Sequence, residues 1–223
     1  MSDWKSAFRS FYYETAEPPE DIRLDPATTA LLVIDVQNTY MEVPEDEAEA
    51  ARWAPFLERM RERVIPNTAS LMEWARGQGI EVMFARIACH KRDGRDRSLS
   101  QKKPGFNYLL LPKDRADSQL VDALSPIDDE IVVTKTTDSA LTGTNLRLIL
   151  HNMGIRDVIV CGIFTDQCVS STVRSLCDES FGVLVVHDAC AAATDELHEH
   201  ELRVINMIYC HVVSAEEVRG FVE

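Results

Sequence analysis

The chain has 223 residues, an apolar fraction of 45% and a formal charge of -14. That length fits one large α/β domain able to bury its core without disulfide staples. The acidic balance speaks against nucleic acid or an anionic membrane as partner, because both demand a basic surface. No apolar run approaches the roughly 18 residues of a membrane span, and the N-terminus lacks the basic start and apolar middle of a secretion signal. The cysteines (Cys89, Cys161, Cys168, Cys177, Cys190, Cys210) are scattered, with no CxxC pair and no zinc-like spacing. Several fall in apparent strands and helices, which reads as reduced thiols in a cytoplasmic protein.

Residues 1–25 read as an arm, followed by a single domain over 26–223. In the arm, Trp4, Phe8, Phe11 and Tyr12 recur at near-helical spacing, so a short amphipathic helix is expected until Pro18 and Pro19. Its aromatic face must cover either the domain's own surface or a neighbouring subunit. The first strand is Thr29 to Ile34, an apolar run without alternation, and it ends at Asp35. An acidic loop follows, then helical patterning from about Trp53 to Gly77. Pro66 either divides two helices or opens the second. The second strand runs from Ile80 to Ile87. The long loop from Ala88 to Pro112 gathers Lys91, Arg92, Arg95, Arg97, Lys102 and Lys103, and a loop of this length is often functional.

Ser118 to Leu124 reads as a short helix, and the third strand, Glu130 to Val133, ends in Thr134-Lys135. A helix over Thr142 to Met153 buries Leu146, Ile149, Leu150 and Met153, with Gly154 as its stop. The fourth strand, Val158 to Cys161, is broken by Gly162. Thr165 and Asp166 offer N-cap oxygens to a helix over Val169 to Phe181, so Cys168 falls in its first turn. Free N–H groups and the helix dipole there favour a thiolate and lower the thiol pKa. A fifth strand (Val183 to Val186), a helix (Glu196 to Ile208) and a sixth strand at Val212-Val213 complete the chain. This alternation, with no hairpin signal, gives a parallel sheet covered by helices on both faces.

In such a sheet the carboxyl ends of all strands share one edge, where ligands bind. Asp35, Lys135 and Cys168 each follow a different strand, so a carboxylate, an ammonium and a thiol reach one rim. Singly, each has a plainer reading: a turn residue, a solvated lysine, a core thiol. Together they make a nucleophilic site.

Three ordered motifs carry a family resemblance. They are Leu31-Leu32-Val33-Ile34-Asp35-Val36-Gln37-Asn38; Lys135 with Ser139-Ala140-Leu141 and Thr144-Asn145-Leu146; and Gly162-Ile163-Phe164-Thr165-Asp166-Gln167-Cys168-Val169. The chain resembles the isochorismatase-like cysteine hydrolases over about residues 28 to 218. The resemblance implies a three-layer α/β/α sandwich, Rossmann-like, around a six-stranded and mainly parallel sheet. It implies an Asp35-Lys135-Cys168 triad and a non-proline cis peptide at Ile163–Phe164. It also implies an oxyanion hole built from the N–H groups of Phe164 and Cys168, and a homo-oligomer. Tyr40 stands where family members put a pocket aromatic.

On that footing Cys168 is the nucleophile, Asp35 takes its proton, and Lys135 stabilises the charges that form. A small amide or ureido compound is the expected substrate, and no cofactor is required. Nicotinamidases of the family carry Asp-x-His after the second strand and bind a metal; here the stretch is Ala88-Cys89-His90, and no metal is expected. Arg86 and the loop cations can reach the same rim, so an anionic amide of the N-carbamoyl or maleamate kind is one reading of the basic loop. A solvated loop or a subunit contact is the other. Phe106, Asn107 and Tyr108 offer a cover for the pocket. Two rivals stay open: general-acid hydrolysis of a C–O bond by Asp35, as in the family's vinyl-ether-cleaving members, and a non-catalytic thiol-sensing or assembly protein.

Overall fold

The computed structural model describes residues 3–105 and 107–222. Its core is a six-stranded sheet of β1 (Thr29–Ile34), β2 (Glu81–Ile87), β5 (Ile131–Lys135), β6 (Asp157–Ile163), β7 (Gly182–Ala191) and β8 (His211–Val213), in the order β5-β2-β1-β6-β7-β8. Every neighbouring pair is parallel. β3 (Lys102–Lys103) and β4 (Asn107–Tyr108) form a separate antiparallel ladder in the long loop. All six residues of β1 are buried, as an unbroken apolar run at the centre of a parallel sheet requires.

From β1 the chain steps outward to β2 and β5, then crosses back to β6 and steps the other way to β7 and β8. Right-handed crossovers in opposite directions place their helices on opposite faces. α1 (Glu47–Arg59) continues through a π-helical turn at Met60–Val64 into α2 (Ile65–Gln78). α3 (Leu146–Asn152), α4 (Ser170–Asp178), α5 (Asp195–Ile205) and the short α6 (Ala215–Arg219) follow. α2 packs with α6 and α4 packs with α5, and both α2 and α4 touch β7, which gives the three-layer α/β/α architecture. β1 and β6 are adjacent although they lie far apart in sequence, so the topological switch point falls between them.

Pro66 opens the second helix, one of the two places expected for it: it sits in the first turn of α2. Other local expectations need correction. Gly162 does not break the fourth strand: β6 runs on to Ile163, and a register shift between Val160 and Gly162 pairs Gly162 with Cys190 of a longer β7. Ser118 to Leu124 holds parts of two 3-10 turns (Ala116–Ser118, Asp122–Leu124) instead of one helix. The helix expected over Thr142 to Met153 is regular only across Leu146–Asn152; Leu146 and Leu150 are buried, while Met153 is exposed.

The arm forms turns and one 3-10 segment at Phe11–Tyr13, not an amphipathic helix. Trp4 and Phe8 dock on the chain's own surface, edge-on to His211 and Phe221 and against His187. Phe11 and Tyr12 point to solvent, so the aromatic positions do not share one covered face. No helix among the described residues is long and apolar enough to cross a membrane.

Candidate active site

Asp35 is the first residue past β1. Its backbone adopts φ 54°, in the left-handed region that aspartate tolerates better than most residues. Its N–H donates to Ala85 O at 2.8 Å, holding the turn against β2. Gln37 clamps the same turn from within the core. Its Nε2 donates to Ile87 O (3.0 Å) and Ser118 O (2.8 Å), while Ile87 N–H donates to its Oε1 (2.9 Å).

Lys135 ends β5 in register with Ile87 of β2, two strands away from β1 and hence about 10 Å distant in backbone terms. Its side chain is fully buried and spans that gap across the end of β2. Nζ lies 2.6 Å from Asp35 Oδ2, 3.2 Å from Cys168 Sγ and 3.3 Å from Thr137 O. The three residues expected at one rim thus meet in one buried cluster. Asp35 and Cys168 border a cavity of about 110 Å³, lined also by Tyr40, Phe164, Gln101 and Asp138, with Lys135 behind them.

Cys168 belongs to a π-helical turn, Thr165–Val169, that leads from β6 into α4. The Ile163–Phe164 peptide before it is cis, at the position the sequence resemblance implied. Thr165 does not cap the helix. Its hydroxyl lies 2.7 Å from His198 Nδ1, and His198 Nε2 lies 2.8 Å from the Arg59 guanidinium. The loop after β5 is tied to the same helix, with Ala140 N–H donating to Thr172 Oγ1 and Ser139 Oγ bonded to Ser175 Oγ. Both ends of the reactive cluster are therefore fixed to rigid elements.

The electrostatics correct one expectation. The Cys168 thiol is not lowered by its place near a helix start. Burial, and then the neighbouring Asp35 carboxylate, push it well above the ordinary thiol range, against the opposing pull of Lys135. Burial also raises Asp35, with Lys135 and Cys168 acting the other way. For Lys135 burial alone would favour the neutral amine, but Asp35 and then Cys168 outweigh it and hold the ammonium. The resting arrangement is a protonated thiol beside an Asp–Lys ion pair, and the base best placed for the thiol proton is Asp35. Tyr40 stays a neutral phenol, kept so by burial and by the nearby Asp35 and Cys168 charges.

Arg86 is not at this site. Ile87 lines the cavity, so its predecessor on the strand projects to the other face. There its guanidinium donates to Lys113 O (3.1 Å) and Gln119 Oε1 (2.5 Å). Nor does the basic loop present its cations to the cavity. Arg97 is buried, donating to the carbonyls of Gly94, Gln101 and Leu109 and lying over the Tyr108 ring. The same loop instead supplies Gln101 and Leu109 to the cavity wall. Of the residues expected to cover the pocket, Phe106 lies outside the described residues and Tyr108 is largely exposed. His90 is exposed, its N–H donating to Asp96.

A parallel α/β/α sheet thus brings a thiol, an ammonium and a carboxylate together at its switch point. The model of the isochorismatase domain matches residues 29–217, and the chain belongs to the isochorismatase family and is a hydrolase of it. It is 32% identical, over 76% of its length and 84% of the relative's, to a probable inactive nicotinamidase of Arabidopsis thaliana. It is 31% identical to the ureidoacrylate amidohydrolase of Methylobacterium radiotolerans, covering 86% of this chain and 78% of that one. An isochorismatase family protein of Burkholderia thailandensis superposes with a TM-score of 0.74 at 27% identity, across 91% of this chain and 98% of that structure.

Proposed function

We propose that the chain is a cysteine-dependent hydrolase that cleaves the C–N bond of a small amide or ureido compound through a thioester, releasing ammonia or an amine. The observation that carries this reading is the position of Lys135 Nζ between Asp35 Oδ2 (2.6 Å) and Cys168 Sγ (3.2 Å), two groups that line a small cavity. Likeness to ureidoacrylate amidohydrolases supports it from outside the chain.

In the first half-reaction the thiol proton passes to Asp35 as sulfur bonds to the carbonyl carbon. The carbonyl oxygen takes the electron pair and is met by the backbone N–H groups of Phe164 and Cys168. The carbon–nitrogen bond then breaks, and Asp35 returns the proton to the departing nitrogen. In the second, water gives a proton to Asp35 while its oxygen attacks the thioester. The carbon–sulfur bond breaks and Asp35 passes the proton to sulfur, which restores the thiol and the carboxylate. Lys135 keeps a positive charge beside both groups whichever of them holds the proton. Tyr40 and Phe164 shape the space for the substrate, whereas Arg86 takes no part.

The deciding experiment is an ammonia-release screen over small primary amides and ureido acids beside Cys168→Ala. Turnover lost in the variant supports the reading; turnover that survives moves the chemistry to Asp35 alone.

A further inference from the structure

Beside the reaction cavity lies a second pocket of about 280 Å³, lined mainly by Trp53, Phe56, Leu57, Tyr40 and Phe164, with Glu42 as its one charged residue among the described residues. Tyr40 and Phe164 line both spaces, so the pockets adjoin across these rings. The rings form one cluster. Phe164 meets Tyr40 edge-on at 5.3 Å, Phe56 at 5.2 Å and Trp53 at 6.3 Å between centroids. α1 contributes Trp53 and Phe56 to the wall of this space, which adjoins the residue four places before the candidate nucleophile.

The reaction cavity has the opposite character. Its volume of about 110 Å³ corresponds to roughly four waters at ~30 Å³ each, enough for an amide head group. Among the described residues, Asp35 and Asp138 line it, but no arginine, lysine or histidine does. Lys135 stands behind it, committed to Asp35 and Cys168. Gln101 is buried in its wall with a side-chain Nε2 that finds no acceptor among the described residues. A buried donor of this kind calls for an acceptor on the ligand, and a carbonyl oxygen supplies one without adding charge.

We infer that the substrate is an uncharged amide with an apolar, flat substituent. Its carbonyl head occupies the reaction cavity between Gln101 and Cys168, and its substituent lies among Trp53, Phe56 and Phe164. Asp138 disfavours a carboxylate near the scissile bond, because no cation faces it there to compensate the repulsion. This inference rests on the reading of Cys168 as nucleophile for its kinetic arm only.

Matched ligands test it: benzamide against phthalamate, and butanamide against malonamate, each anion carrying its carboxylate next to the scissile amide. With the wild-type protein, kcat/KM from ammonia release is expected to favour the neutral member of each pair by 100-fold or more. Asp138→Asn should narrow that ratio by at least tenfold, and Trp53→Ala should raise KM for benzamide by at least tenfold. Binding of the same ligands to Cys168→Ala, read by calorimetry, should keep the neutral preference. Anionic members that bind or turn over as well as their neutral partners would overturn the inference. If the wild-type protein turns over none of them, the nucleophile assignment fails by itself, and the Cys168→Ala affinities still decide the substrate class.

Discussion

Gly162 of β6 stands opposite Ile34 of β1 so closely that a Cβ on it would fall 2.0 Å from Ile34 O and 2.7 Å from Ile34 N. Its φ of +118° also lies where side chains are strained. This contact draws together the two strands whose ends carry Asp35 and the turn with Cys168. Gly162→Ala must therefore separate β1 from β6 or abandon the turn. The expected outcome is a loss above about 4 kcal/mol, at the severe end for single substitutions, read as little folded protein by circular dichroism and size exclusion. A variant with near-native stability would show that the strands part easily here.

The raised pKa of Asp35 has a direct kinetic consequence. As pH falls Asp35 takes a proton and can no longer accept one from the thiol, so activity is lost through its folded-state pKa. The raising follows first from burial. The acid limb of kcat/KM should thus have its midpoint above the ordinary aspartate value of about 3.9. Asp35→Asn should lower kcat by roughly 10²- to 10⁴-fold, the usual worth of a positioned acid–base group. An acid limb at or below the ordinary value would assign it to another group.

Cys168 should behave as a reluctant thiol when no substrate is present. Burial and Asp35 raise its pKa, so iodoacetamide labelling at this position should keep accelerating as pH passes the ordinary thiol value of about 8.5. A thiol activated in the resting state would instead level off near neutrality. Peptide mapping separates Cys168 from the other free cysteines, of which Cys89, Cys161, Cys190 and Cys210 are buried as well.

The buried Asp35–Lys135 pair is expected to show strong coupling. Removing one partner leaves the other charged in a dry site, which costs about 3–5 kcal/mol, whereas removing both spares that penalty. In urea melts Lys135→Met should be strongly destabilising, and Asp35→Asn with Lys135→Met should cost clearly less than the sum of the single changes. Additive effects would mean that the pair is solvated in practice.

The strands and the triad were legible because both follow from simple regularities. Unbroken apolar runs mark central parallel strands, and strand ends in such a sheet share an edge. Gly162 was misread because a glycine inside a strand looks like a stop unless the neighbouring backbone is seen. Arg97 was read as part of a charged patch, yet it is buried and satisfied by three carbonyls; its sequence neighbours carry no trace of that. Gln101 and Leu109 escaped notice for a related reason, since periodicity cannot say which residues of a long loop fold back onto the rim. Arg86 was placed by strand order alone, when alternation along β2 assigns it to the face opposite Ile87. The aromatic pocket needed α1 to be set against Phe164, a packing relation that pattern alone does not encode.

His198 links the nucleophile turn to acid stability. Arg59 can only donate, so His198 Nε2 must accept and Nδ1 must carry the proton, which it donates to Thr165 Oγ1 at 2.7 Å. Burial first, and then the positive charges of Arg59 and His187, push the imidazole pKa down to about 3. The unfolded chain, with a histidine pKa of about 6.5, binds this proton more readily. The stabilisation is thus complete above about pH 6.5 and is lost progressively as pH falls toward the folded value, a few kcal/mol in all. Thermal melts should therefore show Tm falling between pH 7 and 5, and His198→Gln should flatten that slope. Some slope will persist, because burial also lowers His187 and His211 with the same sign. A variant that keeps the full wild-type slope would remove His198 as its source and leave the Thr165 contact a packing detail.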